Sequence, residues 1–389
     1  MKGAIVPAAE QNASFDLTPA SLTLALRANA TIQHARVSGV QVMPLGEDQG
    51  TTARLYRVAV TYDLEEPGAP ASLIAKLSRN LGPLAIAEQF RLYEREARFY
   101  TTIAPVPNLR TPRVYYSADH GNGEHTLILE DMAPAREGDV VAGCSVETIA
   151  RAVDAVASMH AQYWDSVTLG EQAWLPRPNA DTTVGFALEH YPRSWRIFER
   201  QTRSPGPEVV AAGYGLCGDR SVLDRLSSGP CTLTHGDLRL NNLLFDAGGG
   251  LAAVIDWQTV TFARGPMDLA SLLVSNLDPA DCARAEADLI PRYVAKLREY
   301  GVDGYSLDEC WMDYRLSVLS QFAGVVMLSA ILGIGGNHEE TIAAVVGRPL
   351  KAVARLRLHE LLPTRRARPT QLLSRLRSRL LVAPTRGAK

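Results

Sequence analysis

The chain has 389 residues, 46% hydrophobic and 21% charged, a globular composition with enough apolar material for two lobes, each with its own core. A formal net charge of −2 removes the general electrostatic reason to expect nucleic acid or an anionic membrane as the main partner. Five scattered cysteines with no C-x-x-C pair, and no apolar signal core behind Met1, point to free thiols, a reducing compartment and a cytoplasmic protein.

Thr18 as N-cap and Pro19 at the first helical position predict a short amphipathic helix over 17–29. Runs rich in Val, Leu, Ile and Tyr follow at 37–45, 54–64 and 72–77, separated by Gly, Asp and Pro turns, and predict a small antiparallel sheet. Between the first two lies Gly46 to Thr52, where Gly50, Thr51 and Thr52 are candidates to wrap phosphates with backbone N–H groups. A plain hairpin turn is the competing reading. The third strand carries Lys76 inside Leu73-Ile74-Ala75-Lys76-Leu77, where an unpaired ammonium is costly, so a carboxylate partner is expected. A predicted helix over 84–103 offers Glu88, Glu94 and Glu96. Glu96 is favoured because Phe99 and Tyr100 pack that face, Glu94 has Arg98 one turn on, and Glu88 stays open.

Strands at 113–117 and 126–129 run into Glu130-Asp131-Met132, the candidate hinge for adenine. Beyond Pro134 the periodicity becomes helical: Ser145 caps a helix over 145–164 whose His160 reads as a satisfied core histidine. Phe186, Tyr191, Trp195 and Phe198 either line an acceptor pocket or pack helices. Residues 318–334 are apolar but short for a membrane span and interrupted by Ser and Gln, so a buried helix is expected. The last 26 residues hold eight Lys or Arg and no acid, a basic amphipathic tail that fits weak contact with anionic lipid or protein, or a solvated end.

The densest chemistry lies in His235-Gly236-Asp237-Leu238-Arg239-Leu240-Asn241-Asn242, followed fourteen residues after Asn242 by Asp256 in Ile255-Asp256-Trp257-Gln258. Phosphoryl transfer from a nucleoside triphosphate needs one carboxylate to orient the acceptor hydroxyl, and an Asn oxygen with a second carboxylate to hold Mg²⁺ against the phosphates. Leu243-Leu244-Phe245 and 251–255 read as a hairpin around the turn at 246–250, which sets Asn242 and Asp256 at the same end of one element.

With these residues in place the chain resembles the aminoglycoside phosphotransferase and choline kinase superfamily, and within it the ecdysteroid-kinase-like branch and its bacterial relatives. The likeness runs from about Leu17 to about residue 345. Its carriers are the stretch from Gly50 to Arg57, Ala75-Lys76-Leu77, Tyr93 to Tyr100, Leu129 to Met132, the His235 to Asn242 motif, Ile255 to Gln258, and Gly265-Pro266-Met267-Asp268-Leu269-Ala270. The resemblance implies an α+β, bilobal, protein-kinase-like fold. A nucleotide-binding sheet lobe would occupy 1–130 and a helical catalytic lobe 131–362, with the tail at 363–389 outside both. ATP would bind between the lobes. It makes Asp237 the catalytic base, Asn242 and Asp256 the Mg²⁺ ligands, Lys76 the phosphate-binding lysine, Glu96 its partner, and Asp268 a structural residue near the catalytic loop. Arg239 takes the place where protein kinases carry a lysine facing the transferred phosphate. Trp257-Gln258 replaces the Phe-Gly of protein kinases, which directs the expectation to small-molecule acceptors.

The expected activity is ATP-dependent phosphorylation of a hydroxyl on a small organic molecule. Its rivals are a catalytically silent nucleotide-binding regulator of the same fold and transfer of AMP to a protein. No dense acidic cluster lies between 182 and 230, so an apolar or neutral alcohol is favoured over a polycationic aminoglycoside.

Overall fold

The structure, a computed structural model, describes residues 15–45, 53–78, 84–121, 124–202, 205–332 and 339–363. The candidate phosphate loop, with Gly50, Thr51 and Thr52, lies outside the described residues, as does the basic tail from residue 364.

The N-terminal part is one antiparallel sheet backed by a helix. Strands β1 (Val37–Pro44), β2 (Arg54–Tyr62), β3 (Ser72–Ser78), β4 (Val114–Gly121) and β5 (Glu124–Glu130) pair in the order β1-β2-β3-β5-β4. Helix α1 (Pro19–Ala28) starts at Thr18, whose hydroxyl accepts from Ser21 N in a capping box. Its Leu22 and Leu26 bury against Val58, Val60, Leu73, Ala75 and Ile128. The period of two in β3 then decides the site: Leu73 and Ala75 face α1, so Ile74 and Lys76 project from the opposite face.

The single helix predicted over 84–103 is instead three pieces. Helix α2 (Leu84–Gln89) breaks at Arg91, held at φ 52°, before α3 (Leu92–Arg98), and the chain continues into a π-helical turn over Phe99–Ile103. A left-handed residue cannot continue the i to i−4 ladder, and Pro105 then ends the segment because it has no N–H to donate. Apolar periodicity alone does not report such a break.

The remainder is mostly helical: α4 (Val146–Gln162), α5 (Val167–Gly170), α6 (Asp181–Gln201), α7 (Pro207–Leu216), α8 (Ser221–Leu226), α9 (Pro266–Asn276), α10 (Pro279–Glu299), α11 (Leu307–Leu332) and α12 (Glu339–Arg355). Short strands β6 (Arg136–Glu137), β8 (Leu243–Phe245) and β9 (Leu251–Val254) form one small sheet, and β7 (Thr232–Thr234) pairs with β10 (Thr261–Ala263). The stretch 318–334 falls largely in α11, whose Val318, Leu319, Phe322 and Val326 are fully buried. Among the described residues no helix is long and apolar enough to cross a membrane.

Three of the four aromatics considered for a pocket belong to the core. Tyr191, Trp195 and Phe198 are buried, and Trp195 lies so close over Gly213 that a Cβ there would meet its ring at 2.4 Å. Helix packing therefore accounts for them. Phe186 is half-buried and meets Phe90, just ahead of α3, edge-on at 5.2 Å.

Candidate active site

The loop after β7 is shaped by side chains that bond its backbone. Gly236 sits at φ 84°, and a Cβ there would approach Thr259 O to 2.7 Å, so this position requires glycine. Asp268, fully buried in the first turn of α9, accepts from His235 N at 2.7 Å and Gly236 N at 2.8 Å. His160 Nε2 lies 3.2 Å from the same carboxylate, and its Nδ1 lies 2.7 Å from Tyr293 Oη, so its two ring nitrogens are both engaged inside the core. At the last residue of α9, Asn276 accepts from Leu240 N at 2.9 Å and donates to Leu238 O at 2.8 Å. One helix thus grips the loop at both ends and fixes the backbone between those grips.

His235 Nδ1 accepts from Asp237 N at 3.2 Å while Nε2 meets Ile255 O at 2.9 Å, which requires the proton on Nε2. This imidazole bridges the loop to the segment carrying Asp256, and Trp257 extends the bridge. The Trp257 ring is fully buried, stacked on Phe99 at 3.8 Å with an interplanar angle of 6°. The segment carrying Asp256 is therefore fastened to the turn that follows α3 through aromatic contact.

Two cation–carboxylate clusters face the cleft. In the first, Lys76 Nζ lies 2.7 Å from Glu96 and 2.7 Å from Asp256. Burial works against the Lys76 charge, but the two carboxylates outweigh it and hold the ammonium well above its usual range. Burial pushes the Glu96 carboxyl up to about 6, opposed by Lys76 and reinforced by Asp256. Of the three glutamates considered, Glu96 is the one at Lys76. Glu94 pairs with Arg91 at 2.5 Å and more loosely with Arg98 at 3.8 Å, and Glu88 is exposed.

In the second cluster the Arg239 guanidinium forks Asp237, with Nε donating to Oδ1 at 2.7 Å and Nη2 to Oδ2 at 2.8 Å. Asn242 Nδ2 donates to the Asp237 carbonyl at 2.8 Å and to Oδ2 at 3.2 Å. Burial disfavours the charged form of Asp237, yet Arg239, His235 and Asn242 together hold its carboxyl below the ordinary range.

Asn242 and Asp256 meet across the hairpin: Leu243 pairs with Val254, and Ile255 N donates to Asn242 O at 3.0 Å. Asp256 is held at φ 63°, a left-handed geometry that aspartate tolerates better than most residues and that turns its carboxylate out of the strand line to Lys76. The donor set suits a hard cation. Asn242 spends its amide N–H on Asp237, which assigns its other amide atom, an oxygen, to the opposite side, and Asp256 adds a carboxylate. Among the described residues no group of three or more His, Cys, Asp or Glu forms a metal cage. Mg²⁺ held largely by phosphates and water with one or two protein oxygens needs none.

At the connector between the sheet and the helices, the side chains serve structure. Asp131 accepts from Arg57 Nε at 2.8 Å, Ser72 Oγ at 2.6 Å and Ala133 N at 3.0 Å, and Glu130 pairs with Arg110 at 2.6 Å. Any contact of Asp131 with a base therefore falls to its backbone. Met132 is half-buried.

Sequence reasoning did not find Asn276 or the Tyr293–His160 pair. Each acts on a loop more than thirty residues away in the chain, and a buried asparagine in an apolar helix is the only local signal either one leaves.

A profile described as the phosphotransferase enzyme family matches residues 61–305, well over half of the chain and all of the loop, hairpin and Lys76 geometry described above. The chain belongs to this family of phosphotransferases. A comparison with curated proteins found no match. Among solved structures it is similar to the apoenzyme of a macrolide 2′-phosphotransferase from Brachybacterium faecium, with 17% identity, TM-score 0.46, and 84% of this chain and 98% of that one covered. It is also similar to the choline kinase of Streptococcus pneumoniae, with 15% identity, TM-score 0.48, and 82% and 94% covered. The ethanolamine kinase of Plasmodium vivax aligns at 13% identity and TM-score 0.48, over 82% and 85%.

Proposed function

We propose that the protein is an ATP-dependent kinase that phosphorylates a hydroxyl group of a small organic molecule, in the cytoplasm, with lobes dividing at 130/131 and a tail from 363. The observation that carries this reading is Lys76 held between Glu96 and Asp256 while Asp237 and Asn242 sit on the same loop and hairpin. Asp237 orients the acceptor hydroxyl for in-line attack, Lys76 fixes the phosphates, and Arg239 faces the transferred group. Asn242 and Asp256 hold Mg²⁺, which when bound neutralises charge between the phosphates. Glu130 to Met132 receive adenine through backbone groups, and Gly50, Thr51 and Thr52 cover the phosphates. The ecdysteroid-kinase-like branch is the proposed place within the family, with an apolar or neutral alcohol as acceptor class.

The test is ATP-dependent mass gain of one phosphate in a metabolite extract, read by untargeted mass spectrometry. Asp237→Asn is expected to keep Mg-ATP binding and lose about 10²- to 10⁴-fold in transfer. Unchanged turnover in that variant refutes the assignment of the base, and Mg-ATP binding without transfer to any metabolite supports a silent nucleotide-binding protein instead. One observation speaks for that second reading: the carboxylate assigned as base is capped by Arg239.

A further inference from the structure

The capped base has a specific consequence. A carboxylate offers about four lone-pair positions, and three donors already occupy those of Asp237: Arg239 Nε on Oδ1, and Arg239 Nη2 with Asn242 Nδ2 on Oδ2. The one position left is on Oδ1 beside Arg239 Nε, on a carboxylate already partly shielded from water, so withdrawal of Arg239 opens Asp237 to an acceptor hydroxyl. Lys76 is likewise held by carboxylates, so both cations lie on acidic side chains.

We propose that Arg239 is a nucleotide-released latch: it holds Asp237 in the empty enzyme and is drawn off by the terminal phosphate of a bound triphosphate, which exposes the base only when a phosphoryl group is in place. This rests on the kinase reading above and adds an order of events to it. The exchange is favourable because a guanidinium fork matches phosphate oxygens as well as it matches a carboxylate, and the terminal phosphate carries more charge. A diphosphate presents no group at that position and leaves the latch closed. Arg239 touches the terminal phosphate in this scheme, and its release sets when Asp237 is open to the acceptor.

The scheme predicts an energetic coupling that a purely structural ion pair does not. Binding of Mg-adenylyl imidodiphosphate, a non-hydrolysable triphosphate, and of Mg-ADP is measured by calorimetry for the full-length wild type, Asp237→Asn, Arg239→Gln and the double variant. Arg239→Gln is expected to weaken the triphosphate by about tenfold, the worth of a charge-assisted hydrogen bond, and to leave ADP within about twofold. Asp237→Asn frees the guanidinium, so triphosphate binding tightens by roughly fivefold or more, again with ADP unmoved. In the double variant that gain disappears. A gain that persists without Arg239 shows simple relief of repulsion by Asp237 and overturns the latch, as does an equal effect of Arg239→Gln on both nucleotides. If Arg239→Gln loses ADP binding through misfolding, Arg239→Lys carries the same test, with the charge kept and the fork removed. A wild type that binds ADP and triphosphate normally but shows none of this coupling overturns the latch alone. A wild type that binds neither overturns the kinase reading with it.

Discussion

At the residue scale the candidate site is decided by a few side chains that satisfy backbone groups of the loop after β7. Asp268 is the strongest case, since it takes two amide hydrogens and stands against His160 with no solvent exposure. Replacing it with alanine leaves the buried His235 N–H, the Gly236 N–H and an imidazole without their acceptor. Asp268→Ala is expected to lose about 3–5 kcal/mol of stability, and Asp268→Asn less, because one acceptor oxygen remains. Urea unfolding of the three proteins measures this; equal midpoints would show that the loop holds itself without the carboxylate. Asp237, Asn242 and Asp256 were legible in the sequence because their spacing is chemical, five and fourteen residues apart within one loop and hairpin. Asp268 was legible only through the family resemblance, and Asn276 not at all, because a bond from one side chain to a distant backbone has no period in sequence.

At the element scale the sheet depends on a connection that local pattern does not reveal. Glu66, between β2 and β3, accepts from the backbone N–H groups of Gln33, His34 and Ala35 at 2.6, 3.0 and 2.7 Å, and so ties the α1–β1 turn to the β2–β3 turn at the same end of the sheet. The bond from Ala35 is the largest influence holding its carboxyl below the ordinary value of 4.5, with burial opposing and the other two amides assisting. A carboxyl depressed in the folded state contributes stability that is complete above its unfolded value and is lost as pH falls through the folded one. Thermal melts should therefore show wild type and Glu66→Gln furthest apart above pH 4.5 and converging below it. A constant gap across that range would assign the difference to packing. The helices show the same division between pattern and context. Thr18 and Ser145 cap α1 and α4 as their sequence predicts, since capping is local. The break at Arg91 leaves no such local mark, because apolar periodicity does not report a single left-handed residue.

At the scale of the whole molecule, Lys76 is the point where the sheet and the helical part meet through charge. It reaches Glu96 on its own side and Asp256, 180 residues along the chain, on the other. Under the proposed function, a bound nucleotide adds contacts to both sides of that bridge. At about 100 times its Kd, Mg-ATP should stabilise the fold by about 2.7 kcal/mol, seen as a raised Tm. Lys76→Ala should remove most of that rise at the same nucleotide concentration and leave the buried Glu96 and the partly exposed Asp256 without their cation. A full rise in this variant would deny Lys76 its phosphate role.

By itself the sequence determined what is local: the capped helices, the alternating strands, the lysine in an apolar strand, and the loop and hairpin chemistry of a phosphotransferase. Short-range spacing and periodicity carry all of these, because the residues concerned act on neighbours within a turn or a strand. The tertiary structure decided which glutamate meets Lys76, that the side chains of Asp131, Tyr191, Trp195 and Phe198 serve structure, that α9 grips the loop after β7 from both ends, and that Arg239 closes on Asp237. Those are outcomes of where distant segments pack. Their physical basis is the demand of buried polar groups for partners, and the fold alone chooses which partners are within reach.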